Sequence, residues 1–258
     1  MTDIKNAFAK GKALISFLTA GDPTLDTTEQ LILAMEKAGA DIIEIGIPFS
    51  DPVAEGPAIQ GADMRALAAG ATTDKIFEMV SHTKEKVHIP LVFMTYINPV
   101  FTYGTERFLQ KCSECGISGL IIPDLPFEEK EEVLPACKKY GITLISMIAP
   151  TSHERIAKIA AQAEGFVYCV SSLGVTGVRS NITTNIDEMV TLVKKATNTP
   201  CAIGFGISTP QQAAAMAQSA DGVIVGSAIV KLIAQYGTNS VQPVSDYVKS
   251  MKQSIRDK

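Results

Sequence analysis

The sequence contains no tryptophan and only three histidines among its 258 residues. His82, His88 and His153 are widely separated, whereas a metal-dependent aldolase gathers imidazoles around one ion. His88 also precedes a predicted strand, so it lies opposite to the strand ends where a parallel barrel carries its active site. The scarcity of imidazole therefore argues against a metal-dependent enzyme.

Long apolar runs and an excess of positive charge are absent as well. The early run ALISFLTA is far shorter than a membrane-spanning helix, and no convincing small-residue cleavage site follows it. The net charge is −4 and no basic stripe is present, which argues against nucleic acid as a partner. These features predict a cytoplasmic protein without a signal peptide.

Cysteine occurs in an odd number, five, and only Cys112 and Cys115 have a C-x-x-C spacing. A zinc site needs a second pair of ligands, which is not visible at a suitable spacing. A thioredoxin-like motif follows an early strand, whereas this pair ends a helical stretch. We therefore expect two ordinary helix cysteines.

Short runs rich in Ile, Val, Leu and Phe alternate with segments of helical period, many of which open at Thr, Ser or Asp. The apolar runs begin near Leu14, Asp41, Pro90, Gly119, Thr143, Phe166, Pro200 and Asp221. Strand and helix repeated about eight times over this length predict a (β/α)8 TIM barrel, with residues 1–258 as one domain. The first turn, TAGDPT, lacks the G-x-G-x-x-G pattern of a doubly wound nucleotide-binding sheet.

The ends of the chain and two long connections add to this prediction. An extra N-terminal helix over DIKNAFAKG and a C-terminal helix over SVQPVSDYVKSMKQSIRDK are expected to close the bottom and side of the barrel. The connections after the second strand (Phe49 to Thr73) and after the sixth (Leu173 to Thr184) are long. In this fold such loops build the active site.

One carboxylate interrupts the isoleucines of the second predicted strand, DIIEIGIP. Because side chains alternate along a strand, Ile43, Ile45 and Ile47 share the face suited to helix packing, and Glu44 points into the barrel. A structural salt bridge is the alternative, but no predicted strand core contains a lysine or arginine. Burial is expected to raise the pKa of Glu44 toward neutrality, as a proton shuttle requires.

Glycines follow the last two predicted strands. GFGIST begins at Gly204, and VGSAIVK places Gly226 and Ser227 at the start of a short helix. Helix N-termini approached through glycines bind anions, and this fold commonly holds a phosphate there. GFGIST alone could be only a tight turn, so the phosphate site is predicted from both glycine-containing runs together. The segment SSLGVTGVRS, after the sixth strand, is long enough to form a loop that covers a ligand.

The available side chains limit the types of reaction that the chain could catalyse. A Schiff-base aldolase needs an inward lysine near the strand ends, and none is present. The remaining possibility is acid–base catalysis by carboxylates on a phosphorylated substrate. Besides Glu44, the candidate catalytic carboxylates are Asp51 and Glu55 in the second loop, SDPVAEGP. Either residue could instead be a turn or capping residue beside proline.

Six segments, in order, closely resemble the tryptophan synthase α subunit: EIGIPFSDPVAEGPAIQ, YINPVFTYG, IIPDLPFEE, CVSSLGVTG, GFGIS and VGSAIV. The first segment is highly specific, whereas GFGIS is shared by many phosphate-binding barrels. The resemblance implies a lyase that cleaves indole-3-glycerol phosphate to indole and glyceraldehyde 3-phosphate in tryptophan biosynthesis. It implies that Glu44 shuttles protons while the indolenine tautomer of the substrate acts as the electron sink.

The resemblance also assigns binding residues. It implies a phosphate site formed by Gly177, Phe205, Gly206, Gly226 and Ser227. It implies an indole pocket formed by Phe17, Met94 and Ile121, with Tyr168 beside Glu44. It further implies that Thr176 of the sixth loop closes over the carboxylate of the second loop.

One residue departs from the family pattern. The second catalytic carboxylate, which binds the indole N–H, is usually aspartate in the family, and this chain has Glu55 there. The extra methylene moves the carboxylate by roughly 1–1.5 Å, and a misplacement of about 1 Å can cost on the order of 10²-fold in rate. Either the loop backbone compensates, or the protein is a slow lyase unless a partner orders the loop.

A partner is implied as well. The family's α subunit docks on a β subunit that carries pyridoxal phosphate and receives indole through a tunnel, in an αββα heterotetramer. Asp51, Asn98 and Pro126, in loop two, NPVFTYG and PDLPFEE, would face this partner, and this chain itself would need no cofactor.

Three other functions stay open at this point. The chain could be an α-like regulatory subunit that binds ligand and activates β with slow or no cleavage, which Glu55 alone supports. It could be a free-standing lyase that releases indole. It could be another phosphate-binding barrel, such as an isomerase, although those enzymes usually use paired Asp, Cys or metal-ligand His at several strand ends.

Overall fold

The computed structural model describes residues 3–170, 186–204 and 206–256. Nine strands, β1 to β9, form one sheet in which every pair is parallel. They span Ala13–Thr19, Ile42–Gly46, Leu91–Met94, Gly119–Ile121, Thr143–Leu144, Ser146–Ile148, Val167–Val170, Cys201–Gly204 and Gly222–Val225.

The strand order is β5-β4-β3-β2-β1-β9-β8-β7-β6, so the two edge strands are consecutive in the chain. The fifth predicted strand is divided at Ile145: its first part, β5, pairs with β4, and its second part, β6, pairs with β7. One stretch of chain thereby joins the two edges of the sheet into a nearly closed ring. The predicted TIM barrel is confirmed, with this division as the difference from eight continuous strands.

Eleven α-helices surround the described part of the barrel. They span Leu25–Ala38, Pro57–Ala68, Thr73–Thr83, Ile97–Tyr103, Thr105–Glu114, Leu134–Tyr140, His153–Ala160, Ile186–Ala196, Pro210–Ser219, Ser227–Tyr236 and Val241–Arg256, numbered α1 to α11. Several ends follow the caps visible in the sequence. For example, the Thr24 hydroxyl accepts a hydrogen bond from the Thr27 N–H at the start of α1, and Gly39 ends α1 in the left-handed conformation.

Two helices and one helix break were not predicted. Helices α2 and α4 lie in connections that the sequence pattern left without structure. The segment EEKEEVLPACKKYG is one of the stretches with helical period, which predicts a single helix, but it forms a 3-10 helix, Phe127–Glu132, followed by α6. Pro135 lies in the first turn of α6, where its missing N–H is tolerated, whereas inside one continuous helix it would remove a hydrogen bond.

The core has two layers that follow the alternation of the strands. Ile43, Ile45 and Ile47 belong to the large cluster between the sheet and the helices, whereas Ile42 and Phe17 belong to a smaller cluster inside the barrel. The predicted assignment of the two faces of β2 is therefore confirmed.

The bottom of the barrel is closed by both ends of the chain. The N-terminal segment is a 3-10 helix, Ile4–Phe8, and Ile4 is buried in the inner cluster. From α11, the Lys252 ammonium donates to the Lys12 carbonyl (2.8 Å) and to the Asp41 carboxylate (2.6 Å). In the described ranges, no helix combines the length and apolar character needed to cross a bilayer.

Candidate active site

Glu44 lies inside the barrel on β2, in register with Phe17 of β1 and Val92 of β3. Its side chain is 1% exposed, and its Oε2 atom has no hydrogen-bond partner among the residues that the structure describes. Burial, and secondly the charge of Glu55, raise the pKa of Glu44 to about 8. This carboxyl group is therefore largely protonated at neutral pH and close to the point where it can both give and take a proton.

Glu55 is the loop-two carboxylate that faces Glu44. It is 3% exposed, whereas Asp51, the other candidate, is exposed. Two hydrogen bonds fix the backbone on either side: the Ala54 N–H donates to the Tyr96 hydroxyl (2.9 Å), and the Gln60 amide donates to the Glu55 carbonyl (2.7 Å). The structure thus brings Glu44 and Glu55 together and leaves Asp51 at the surface.

The aromatic and apolar residues assigned to the indole pocket share one location. Phe17, Met94, Ile121 and Tyr168 come from four different strands and all belong to the cluster inside the barrel. Tyr168 lies directly over Gly204, because a Cβ atom at Gly204 would fall 2.7 Å from its ring and hydroxyl. Burial and the charges of Glu44 and Glu55 raise the pKa of Tyr168 well above its ordinary value, so its hydroxyl stays protonated beside the two carboxylates.

The glycines assigned to the phosphate site follow β8 and β9. Gly206 has φ of 82°, a conformation that favours glycine. Gly226 is the N-cap of α10 and Ser227 is its first residue, and a Cβ atom at Gly226 would lie 3.2 Å from the Phe17 ring. The helix N-terminus therefore adjoins the inner apolar pocket. Thr176, Gly177 and Phe205, predicted for the same region, fall outside the described residues.

Helix α2 contributes a third buried carboxylate that the sequence reasoning missed. Asp63 is buried, and burial followed by the charge of Glu55 raises its pKa to about 8. The signal was present in the sequence: Ile59, Ala62, Asp63 and Ala66 have the spacing of one helix face, and all four are buried. The helix itself was not predicted, because the whole connection from Phe49 to Thr73 was interpreted as an active-site loop.

Residues predicted to meet a partner lie exposed after three consecutive strands. Asp51 follows β2, Asn98 lies on α4 after β3, and Pro126 follows β4. The same connections expose two large apolar side chains, Val53 (73%) and Phe101 (48%).

The five cysteines belong to the outer core cluster, away from the carboxylates inside the barrel. All five cysteines are free and buried, and burial raises the thiol pKa of Cys112 and Cys115, which lie at the end of α5. Within the described ranges, no group of three or more His, Cys, Asp or Glu side chains could hold a metal ion.

Comparison with known proteins gives a consistent result. Residues 4–256 match the family described as tryptophan synthase alpha chain. The chain is 51% identical to the tryptophan synthase alpha chain of Lactiplantibacillus plantarum over 256 residues, which are 99% of this chain and 97% of that protein. It is 46% identical to the corresponding protein of Lacticaseibacillus casei over 255 residues, 99% of this chain and 96% of that one.

Solved structures agree with this match. The crystal structure of tryptophan synthase subunit alpha from Legionella pneumophila superimposes with a TM-score of 0.91 at 36% identity and full coverage of both chains. A chain from a structure of the tryptophan synthase α2β2 complex of Pyrococcus furiosus superimposes with a TM-score of 0.86 at 33% identity, covering 95% of this chain and 99% of that chain.

Proposed function

The chain belongs to the tryptophan synthase alpha chain family, the lyases of the α reaction, and we propose that it cleaves indole-3-glycerol phosphate to indole and glyceraldehyde 3-phosphate with Glu44 as the proton shuttle. The observation that carries this proposal is Glu44 itself: a buried carboxyl group with a pKa of about 8, inside an apolar pocket. A buried titratable group without an ion-pair partner among the described residues lowers the stability of the fold, so its presence indicates a role in catalysis.

The proton balance of the reaction requires one group with two functions. The Glu44 carboxyl group gives its proton to C3 of the indole ring, which places a positive charge on the ring nitrogen. The resulting carboxylate then takes the proton of the glycerol hydroxyl as the carbonyl forms and the carbon–carbon bond breaks. The electron pair of that bond returns to the ring and restores neutral indole, and Glu44 is again protonated.

Glu55 acts on the ring nitrogen in this proposal. An ionised carboxylate that accepts a hydrogen bond from the indole N–H stabilises the positive charge that develops there. Its two neighbouring backbone hydrogen bonds, Ala54 to Tyr96 and Gln60 to Glu55, hold the longer glutamate side chain in a defined loop. We infer that loop two is adapted to glutamate at this position.

The remaining groups bind and orient the substrate. Backbone N–H groups at the N-terminus of α10, with Gly206 and Ser227, bind the phosphate, while Phe17, Met94 and Ile121 bind the ring. Thr176, Gly177 and Phe205 are assigned to the same site from the sequence. No step needs a cofactor in this chain, and the pyridoxal phosphate of the complete enzyme belongs to the partner.

A β subunit is the proposed partner. The solved complex named α2β2 has an alpha subunit similar to this chain. Val53 and Phe101 expose apolar surface in the connections that carry Asp51 and Asn98. Contact with loop two would further restrict the segment that carries Glu55.

The test is indole release from indole-3-glycerol phosphate by the purified chain, alone and with a tryptophan synthase β subunit. We expect release in both cases, faster with the partner. Absence of indole in both would overturn the lyase assignment, and stimulation of β without any cleavage would make the chain a regulatory subunit.

A further inference from the structure

The barrel wall has a gap beside the active site. The fifth strand pairs with β4 only through Thr143 and Leu144, and the last hydrogen bond between them joins the Ile145 N–H to the Leu120 carbonyl (2.9 Å). Beyond Ile145 the chain, as β6, pairs with β7 instead. In the described chain, the sheet is therefore unpaired between the carboxyl ends of β4 and β6.

A cavity of about 380 Å³ is lined by residues from both sides of this gap, among them Ile122 after β4 and Ser146 of β6. Its inner end is lined by Glu55, Met94 and Met147, which lie on the active-site side. Its outer part, here called the side bay, is lined by Leu125, Phe127, Leu144, Ser146, Arg155 and Ile159. Leu144 and Phe127 pack against the outer core, whereas Met147 packs against the inner one, so the cavity joins the two layers.

The charges at the rim of the side bay have partners of their own. Both terminal nitrogens of Arg155 donate to the Glu128 carboxylate, at 2.6 and 3.0 Å. Lys130 donates to the Gln162 amide and lies over the Phe127 ring at 4.6 Å. The walls are mainly apolar, so the side bay suits a small uncharged group rather than an anion.

The position of the phosphate site determines which part of the substrate points at the gap. In the cyclic order of the strands, β8 and β9 lie opposite β3 and β4. A substrate with its phosphate at the ends of β8 and β9 therefore extends its ring toward Met94 of β3 and Ile121 of β4. The ring carbon farthest from C3 is C6, and C6 lies on the same long edge as the N–H that meets Glu55.

We propose that the side bay is a specificity-determining extension of the ring site, which admits small apolar substituents at C6 of the indole ring. This inference rests on the proposed cleavage of indole-3-glycerol phosphate and adds a substrate range to it. Substituents at C4, next to the glycerol chain, point away from the gap and are excluded.

Three substrates test the proposal in the complex with β: indole-3-glycerol phosphate and its 6-ethyl and 4-ethyl derivatives. We expect kcat/KM for the 6-ethyl compound within about threefold of the unsubstituted substrate, and at least about tenfold lower for the 4-ethyl compound, the scale on which an apolar pocket discriminates small alkyl groups. Equal rates for the two isomers, or rejection of the 6-ethyl compound, would overturn the proposal.

Two variants test the side bay directly. Ser146→Leu fills it and is expected to lower the ratio of 6-ethyl to unsubstituted kcat/KM at least about tenfold, whereas the same change at Ser113, on α5 outside the bay, leaves the ratio as it was. Leu144→Ala enlarges the bay and is expected to raise the ratio for a 6-propyl compound, which keeps the test decisive if Ser146→Leu fails to fold. If the folded variants leave these kcat/KM ratios unchanged, the side bay does not bind the C6 substituent and the proposal is wrong. If the parent does not cleave the unsubstituted substrate, the lyase assignment is wrong instead.

Discussion

The Arg65 guanidinium donates two hydrogen bonds to the Asp22 carboxylate, from Nε to Oδ1 at 2.8 Å and from Nη2 to Oδ2 at 2.7 Å. Asp22 follows β1 and is almost fully buried, while Arg65 lies on α2, directly after the loop that carries Glu55. The pair therefore attaches the far end of loop two to the first turn of the barrel.

Replacing Arg65 by methionine leaves the Asp22 carboxylate buried without its guanidinium. We expect the free energy of unfolding to fall by about 2 kcal/mol, which is the order of the cost of a buried acceptor without a hydrogen bond. The larger cost of breaking a wholly buried ion pair does not apply, because Arg65 is partly exposed. Urea unfolding measures the change, and Arg256→Met at the end of α11 is the control. A loss no larger than that of the control would show that the pair adds nothing.

Glu44→Gln keeps the size of the side chain and removes its ability to release and regain a proton. We expect kcat to fall by about 10² to 10⁴-fold, the usual contribution of a general acid or base, with a smaller change in KM. Indole release under saturating substrate gives kcat, and Glu85→Gln at the surface of the chain serves as the control. Activity within a few-fold of the parent would remove Glu44 from the mechanism.

Glu55→Asp keeps the carboxylate and shortens the side chain. Because the loop is held around glutamate, we expect kcat/KM to fall, by up to about 10²-fold for a displacement near 1 Å. Glu55→Gln should lose more, since it keeps the length and loses the charge that stabilises the ring cation. A faster Glu55→Asp enzyme would show instead that the glutamate impairs this chain.

The pH dependence of kcat/KM reports on Glu44. The protonated form starts the reaction, and its pKa is about 8, so the rate is expected to fall as the pH rises through about 8. Asp63 has a raised pKa in the same range, and Asp63→Asn removes that titration. We expect the alkaline limb to persist in Asp63→Asn. Loss of the limb in this variant would assign it to Asp63.

Gly226→Ala tests the phosphate site. The new Cβ would lie 3.2 to 3.3 Å from Phe17, so the ring must shift or the start of α10 must move. We expect KM to rise several-fold and the inhibition constant of inorganic phosphate to rise with it. Ala234→Gly, on the exposed face of α10 and about two turns from its start, is the control. An unchanged phosphate inhibition constant in Gly226→Ala would place the anion elsewhere.

Periodicity and residue type predicted much of this molecule. The alternation of DIIEIGIP identified the two faces of β2 and the inward direction of Glu44, because side-chain direction in a strand is a local property. Burial then raised the pKa of Glu44 as expected. The helices with clear caps were also predicted, whereas α2 was missed because it begins at Gly56 and Pro57 without a side-chain cap.

The sequence by itself therefore determined the barrel, the inward carboxylate and the glycines after the last two strands, since each depends on local spacing. Residue type and spacing left Asp51 and Glu55 as equal candidates, and only the family resemblance favoured Glu55. The tertiary structure shows that Glu55 and not Asp51 is buried, because two neighbouring loop carboxylates differ only in what packs around them. It likewise decided that Asp63 joins this cluster and that the wall opens beside β4. The physical reason is that these features depend on pairing and packing between segments far apart in the chain.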